Sequence, residues 1–94
     1  MAKIIAVGKV IRLYVNRGNT TIRLDIEPKE GPKDGYFRLR RDHENYNALY
    51  SLALAAAVNR LPLRIRTVDE IVTTQSAVVE YMVMDWDMSQ DDAD

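Results

Sequence analysis

The sequence has no cysteine, and only one histidine, one tryptophan and one phenylalanine among its 94 residues. Without cysteine there are no disulfides, no thiolate chemistry and no sulfur-ligated metal, so packing must hold the fold together. No apolar run approaches the ~20 residues that span a bilayer, which argues against membrane insertion. The apolar stretch between Met1 and Lys9 is broken by Gly8 and is too short for a signal-peptide core, so a cytoplasmic location is expected. A glycine-rich phosphate loop is also missing. Basic residues stop at Arg66: residues 1–66 hold all 13 Lys and Arg with 6 acids, and residues 67–94 hold 8 acids and no base. Two such segments attract one another, although the formal net charge is only −1.

At 10.8 kDa the chain suits one domain with one core. The reading places that domain at residues 1–86, with 87–94, DMSQDDAD, as an acidic tail expected to be disordered. The tail could fold back on basic surface and screen it from nucleic acid, but its composition favours a solubilising role.

Asn45 to Asn59 is the one long run with helical spacing. Tyr46, Leu49, Tyr50, Ala53 and Ala57 form an apolar stripe, and Leu52, Leu54, Ala55, Ala56 and Val58 lie off it, so the helix calls for cover on more than one side. Asp42 or Asn45 can cap its start, Asn59 suits the left-handed position at its end, and Pro62 forbids continuation.

Elsewhere the pattern alternates. Val7 to Asn16 reads as a strand with Ile11, Leu13 and Val15 buried and a bulge or coil at Gly8. Asn16-Arg17-Gly18-Asn19 is a tight turn leading to a second strand, Thr20 to Glu27, with Ile22, Leu24 and Ile26 inward. Residues 28–35, with two prolines and two glycines, make a loop expected to be mobile. Short strands follow at Tyr36 to Arg40 and, after the helix, at Leu61 to Thr67 and Ala77 to Trp86. Three strands, a helix and two strands predict a mainly β fold with one helix, a five-stranded Greek-key barrel like the oligonucleotide/oligosaccharide-binding (OB) fold, with a two-layer α+β sandwich as the alternative.

The helix, with Tyr36-Phe37-Arg38-Leu39 before it and Leu63-Arg64-Ile65 after it, resembles small bacterial proteins related in shape to the pentameric B subunits of AB-type toxins. The resemblance covers Gly35 to Thr67. It implies a ring-forming barrel whose helices line a channel and whose outer surface binds a glycan. The chain lacks the cysteine pair that many such subunits carry.

Asp42-His43-Glu44 is the one cluster with catalytic or metal-binding residue types, but three consecutive residues point apart and favour helix capping beside a solvated imidazole. No enzyme activity, metal or cofactor is expected. Met82, Met84 and Trp86 fall on the strand face expected to be solvated, so together with Leu52, Ala55 and Ala56 they suggest a homo-oligomer contact, and self-association is the first functional reading. The rival is single-stranded nucleic acid, held by Arg12, Arg23, Arg38, Arg40, Arg64 and Arg66 with Tyr14 and Tyr36 on the outer strand face. A solvated face crossed by salt bridges is the ordinary alternative to that site. Glycan binding is the third reading.

Overall fold

The computed structural model describes residues 3–84. Five strands and one helix follow one another as β1 (Ile5–Val15), β2 (Asn19–Asp25), β3 (Tyr36–Arg40), α1 (Tyr46–Asn59), β4 (Pro62–Thr67) and β5 (Ala77–Met84). The hydrogen-bonded order is β1-β2-β3-β5-β4, with β4 returning to β1 to close the ring. Four of the ladders are antiparallel and have five or six residue pairs each. The fifth, between β3 and β5, is parallel and consists of Phe37↔Ala77 and Arg38↔Val78 alone.

The expected OB-like Greek-key barrel is corrected in its closure, since the β3–β5 side is a parallel seam of two pairs and not a full ladder. The fold is a five-stranded mixed sheet with one helix, and its circuit is not laddered evenly all round. The cause lies in the join itself: β3 is only five residues long and runs parallel to β5, meeting just the first two residues of that strand.

Inside the ring, Ile22, Leu24, Phe37, Leu39, Leu63, Ile65 and Val79 are buried. These are the alternate positions of β2 to β5, as a period of two requires. The helix lays Leu49, Ala53 and Ala56 against this core. Its first turn is pinned by a hydrogen bond between the Tyr46 and Thr20 hydroxyls, and Thr20 is itself fully buried. At the other end Arg60, not Asn59, takes the left-handed conformation (φ 56°), and Leu61 N–H donates to Ala56 O at 3.0 Å. Asn59 instead turns its side-chain amide back to Ala55 O. Ending the helix one residue later lets the chain reverse straight into Pro62 at the start of β4.

Two bulges change which side chains face in. On β1 the register slips between Val10 and Arg12, leaving Ile11 as the extra residue. Ala6, Val10 and Leu13 therefore belong to the core side and Ile11 (55% exposed) faces out, contrary to the strict alternation expected, while Val15, opposite the buried Thr20, is left 48% exposed at the end of the strand. Gly8 is not the bulge. It sits where β1 crosses the end of β2, and an added Cβ would lie 2.7 Å from Ile26 Cγ2 and 2.9 Å from Asp25 O. On β5 the slip falls at Glu80, between the pairs Thr67↔Val79 and Arg66↔Tyr81. Met82 and Met84 are thereby carried to the core side, with Met82 7% exposed and Met84 packed against the core.

The 28–35 connection, expected to be an irregular mobile loop, contains two 3-10 turns, Pro28–Glu30 and Lys33–Gly35. Gly31, Pro32 and Gly35 are buried, and Lys33 N–H donates to Gln75 O at 3.0 Å. Gly35 has φ +77°, and a Cβ there would stand 2.5 Å from Leu24 O. That position requires glycine on both counts.

Candidate functional site

The outer surface of β1, β2 and β3 is assembled by register. Arg12 lies opposite Arg23, and Arg23 opposite Tyr36, which makes one row across three strands. Two residues along, Tyr14 lies opposite Thr21 and Thr21 opposite Arg38. Asn19 and Arg40 form the next row. Successive rows are ~6.7 Å apart. The strip thus places four arginines and two tyrosines on one continuous surface.

Within it the side chains have different duties. Arg12 Nη1 donates to Tyr36 Oη at 3.0 Å, and the Arg23 guanidinium lies over the Tyr36 ring, 5.3 Å from its centroid. Arg23 Nε also donates to Asp34 O at 2.9 Å, which fastens β2 to the following loop. Tyr36 is therefore held between two cations. Tyr14, 43% exposed, offers an open ring face instead.

At the far row Arg40 is engaged by Asp42 through two parallel bonds, Nε to Oδ1 at 3.1 Å and Nη2 to Oδ2 at 3.0 Å. The hydrogen bond, and then the opposite charge, lower the Asp42 pKa from its ordinary value and raise that of Arg40. Arg38 is exposed and makes no ion pair among the described residues. It is the cation of the strip most available to an outside anion.

Arg17 and Arg41, which the sequence reading did not single out, extend the same strip. Arg41 N–H donates to Gly18 O at 3.1 Å, so the β1–β2 turn and the end of β3 lie together. Both side chains are exposed. Their signal in the sequence was weak, since one falls in a turn and the other follows the last residue of a strand.

Arg64 and Arg66 belong to a second group. They pair across β4 with Val7 and Ile5 on one side and with Val83 and Tyr81 on the other. Arg66 lies 5.7 Å from the Tyr81 ring centroid, and its Nε is 3.3 Å from Glu80 Oε1. Along β1, Val7 and Arg12 are five residues apart, which is roughly 16 Å. The eight expected residues therefore divide into a strip of six and a pair.

Comparison with protein-family models, with curated proteins and with solved structures found no match.

The residues expected at a self-association surface are placed otherwise. Ala56 and Met82 are buried, Leu52 and Met84 pack against the core, and Ala55 is half-buried. Trp86 and the acidic segment 87–94 lie outside the described residues. The apolar side chains that α1 does expose are Leu54 and Val58, one turn apart.

His43 has a structural task. Its Nδ1 accepts the Asn45 N–H at 3.0 Å, so Nε2 carries the proton and donates to Glu80 O at 2.7 Å. The imidazole thus ties the entry of α1 to the bulge of β5, and it replaces the expected cap, since the Asn45 side chain makes no capping bond and Asp42 is turned to Arg40. Among the described residues no three His, Asp or Glu side chains gather as a metal site would require. No helix among them is long and apolar enough to cross a membrane.

Proposed function

We propose that the protein is a non-catalytic, cytoplasmic module that binds single-stranded nucleic acid on the outer surface of β1, β2 and β3. The observation that carries this reading is the register that sets Arg12, Arg23, Arg38 and Arg40 in rows with Tyr14 and Tyr36. Single strands are held by cationic surface along the backbone and by aromatic faces on which bases stack. Arg38, Arg17 and Arg41 supply charge, and Tyr14 supplies the open ring. Tyr36, braced by Arg12 and Arg23, adds a second aromatic edge in a fixed orientation. Arg64 and Arg66 are left out of the contact.

Self-association through Leu52, Ala55, Ala56, Met82 and Met84 has less support, because most of that surface is already used inside one chain.

Fluorescence anisotropy of a labelled oligonucleotide, read over a salt series, tests the proposal. The expected result is binding that weakens steeply with salt. Each of Arg38→Ala and Arg17→Ala should flatten the plot of log K against log salt by about 0.7, the value for one single-strand phosphate contact. Tyr14→Ala should cost about 1–3 kcal/mol if a base stacks on the ring, with the salt slope unchanged. Absence of binding at low salt, or equal loss in Arg64→Ala and Arg38→Ala, would refute it.

A further inference from the structure

The edge of β1 that faces away from β2 is open over residues 11–15. The β1–β4 ladder ends at Lys9↔Pro62, so among the described residues no strand lies against that edge. Two backbone bonds fix which peptide groups it presents. Asn16 N–H donates to Asn19 O at 2.9 Å, which makes these two a hydrogen-bonded pair. Counting back along the antiparallel register, Tyr14↔Thr21 is then hydrogen-bonded, whereas Val15↔Thr20 and Leu13↔Ile22 are not. The bond from Arg41 N–H to Gly18 O fixes the same phase from the other side, because it turns Thr20 and Ile22 toward Leu39 and Phe37 of β3. Leu13 and Val15 therefore direct their N–H and C=O groups away from β2, and neither makes another hydrogen bond among the described residues.

Unpaired strand groups are a template for another strand. Proline and lysine, the usual guards of an exposed edge, are absent from residues 11–15, which read Ile-Arg-Leu-Tyr-Val. Ile11 and Val15 are the most exposed large apolar residues of β1. The segment fits a second copy of itself. In antiparallel pairing about a twofold axis at Leu13, each Leu13 N–H donates to the Leu13 C=O of the other copy, and Ile11 stands opposite the partner's Val15. Arg12 then meets the partner's Tyr14, so no like charges stand directly opposite. An axis at Tyr14 would use the same backbone groups but would set Ile11 against the partner's Arg17 and leave its apolar surface uncovered.

We infer that the protein forms a twofold dimer in which β1 pairs with β1 of a second copy about Leu13, joining two β1–β2–β3 sheets into one. The contact runs along strand edges and leaves the outward arginines and tyrosines uncovered, so the strips of the two copies adjoin. A single pairing of short strand segments falls below the area of permanent interfaces, and the dimer should dissociate on dilution. It rests on the backbone pairing alone and stands or falls independently of nucleic-acid binding.

Sedimentation velocity of the full chain without nucleic acid, from micromolar to millimolar concentration, should show a reversible monomer–dimer equilibrium. Because the adjoining strips carry like charge, added salt should favour the dimer, whereas it weakens oligonucleotide binding. Val15→Pro removes an edge donor without breaking the β2 ladder, and Ile11→Lys places a charge at the exposed bulge. Each should hold the chain monomeric with unchanged far-ultraviolet circular dichroism. Hydrogen exchange of the wild type reads the same contact. The amides of Leu13 and Val15 should be protected at high concentration and become fast on dilution, while that of Tyr14, bonded to β2, stays protected throughout. Three outcomes overturn the inference. One is a monomer at every concentration, which would leave the edge to a foreign strand. Another is a dimer that survives both substitutions. The last is a dimer in which exchange at Leu13 and Val15 does not depend on concentration, which would place the interface elsewhere.

Discussion

Arg40 and Asp42 show how one pair sets the strength of the strip. Two parallel bonds hold the guanidinium to a neighbouring carboxylate two residues on, so this cation competes poorly for phosphate while Asp42 is ionised. Asp42→Asn should release it and raise oligonucleotide affinity, with a steeper salt dependence, in the anisotropy titration. The pair also has a pH signature. Because the Asp42 pKa is lowered in the folded chain, its stabilising contribution is present above the unfolded carboxylate value of about 3.9 and is lost as pH falls through the lower folded value. Urea melts of wild type and Asp42→Asn should therefore differ by a constant amount above about pH 5 and converge as pH falls through the lowered folded value. Solvent screens a fully exposed pair, so the separation should be small and should shrink with salt.

At the scale of elements, what the sequence reveals depends on whether an alternation is interrupted. Tyr36–Arg40 can be read to the residue because nothing breaks its period, and the helix Tyr46–Asn59 to within a residue at each end because its spacing and the following Pro62 agree. The bulges cannot be read in this way. One extra residue at Ile11 reverses the inward side of the rest of β1, and one at Glu80 does the same for β5. No turn residue marks either slip, and the strand facing each of them decides its place. This is why Met82 and Met84 looked like a contact surface in the sequence and line the core in the fold. The strip on β1, β2 and β3 was legible because its β2 and β3 members lie on unbroken strands. The separation of Arg64 and Arg66 was not, since strand order is a property of pairing. Met82→Ala supplies the check. A core methionine should cost about 2–5 kcal/mol in a urea melt, against less than about 0.5 kcal/mol for a surface residue, with no change in oligomeric state.

For the whole molecule, the ring and the charge distribution meet at β3. This strand carries Arg38 and Arg40 outward and Phe37 and Leu39 inward, and on one flank it has the full β2 ladder. On its other flank only Phe37↔Ala77 and Arg38↔Val78 join it to β5. Those two pairs connect segments on opposite sides of the helix in sequence, so the loop they close is long and its entropy cost high. The β1–β2–β3 meander and the β4–β5 hairpin can each form from local contacts, and of the two joins between them the β3–β5 seam has two pairs against the five of the β1–β4 ladder. Native-state hydrogen exchange should show the amides of that seam opening at lower free energy than those between β1 and β2. Nucleic acid bound along the strip would brace one side of the join, so ligand should slow exchange there more than at β4. The two-pair seam is the thinnest join of the ring among the described residues, and the place where binding is expected to register as stability.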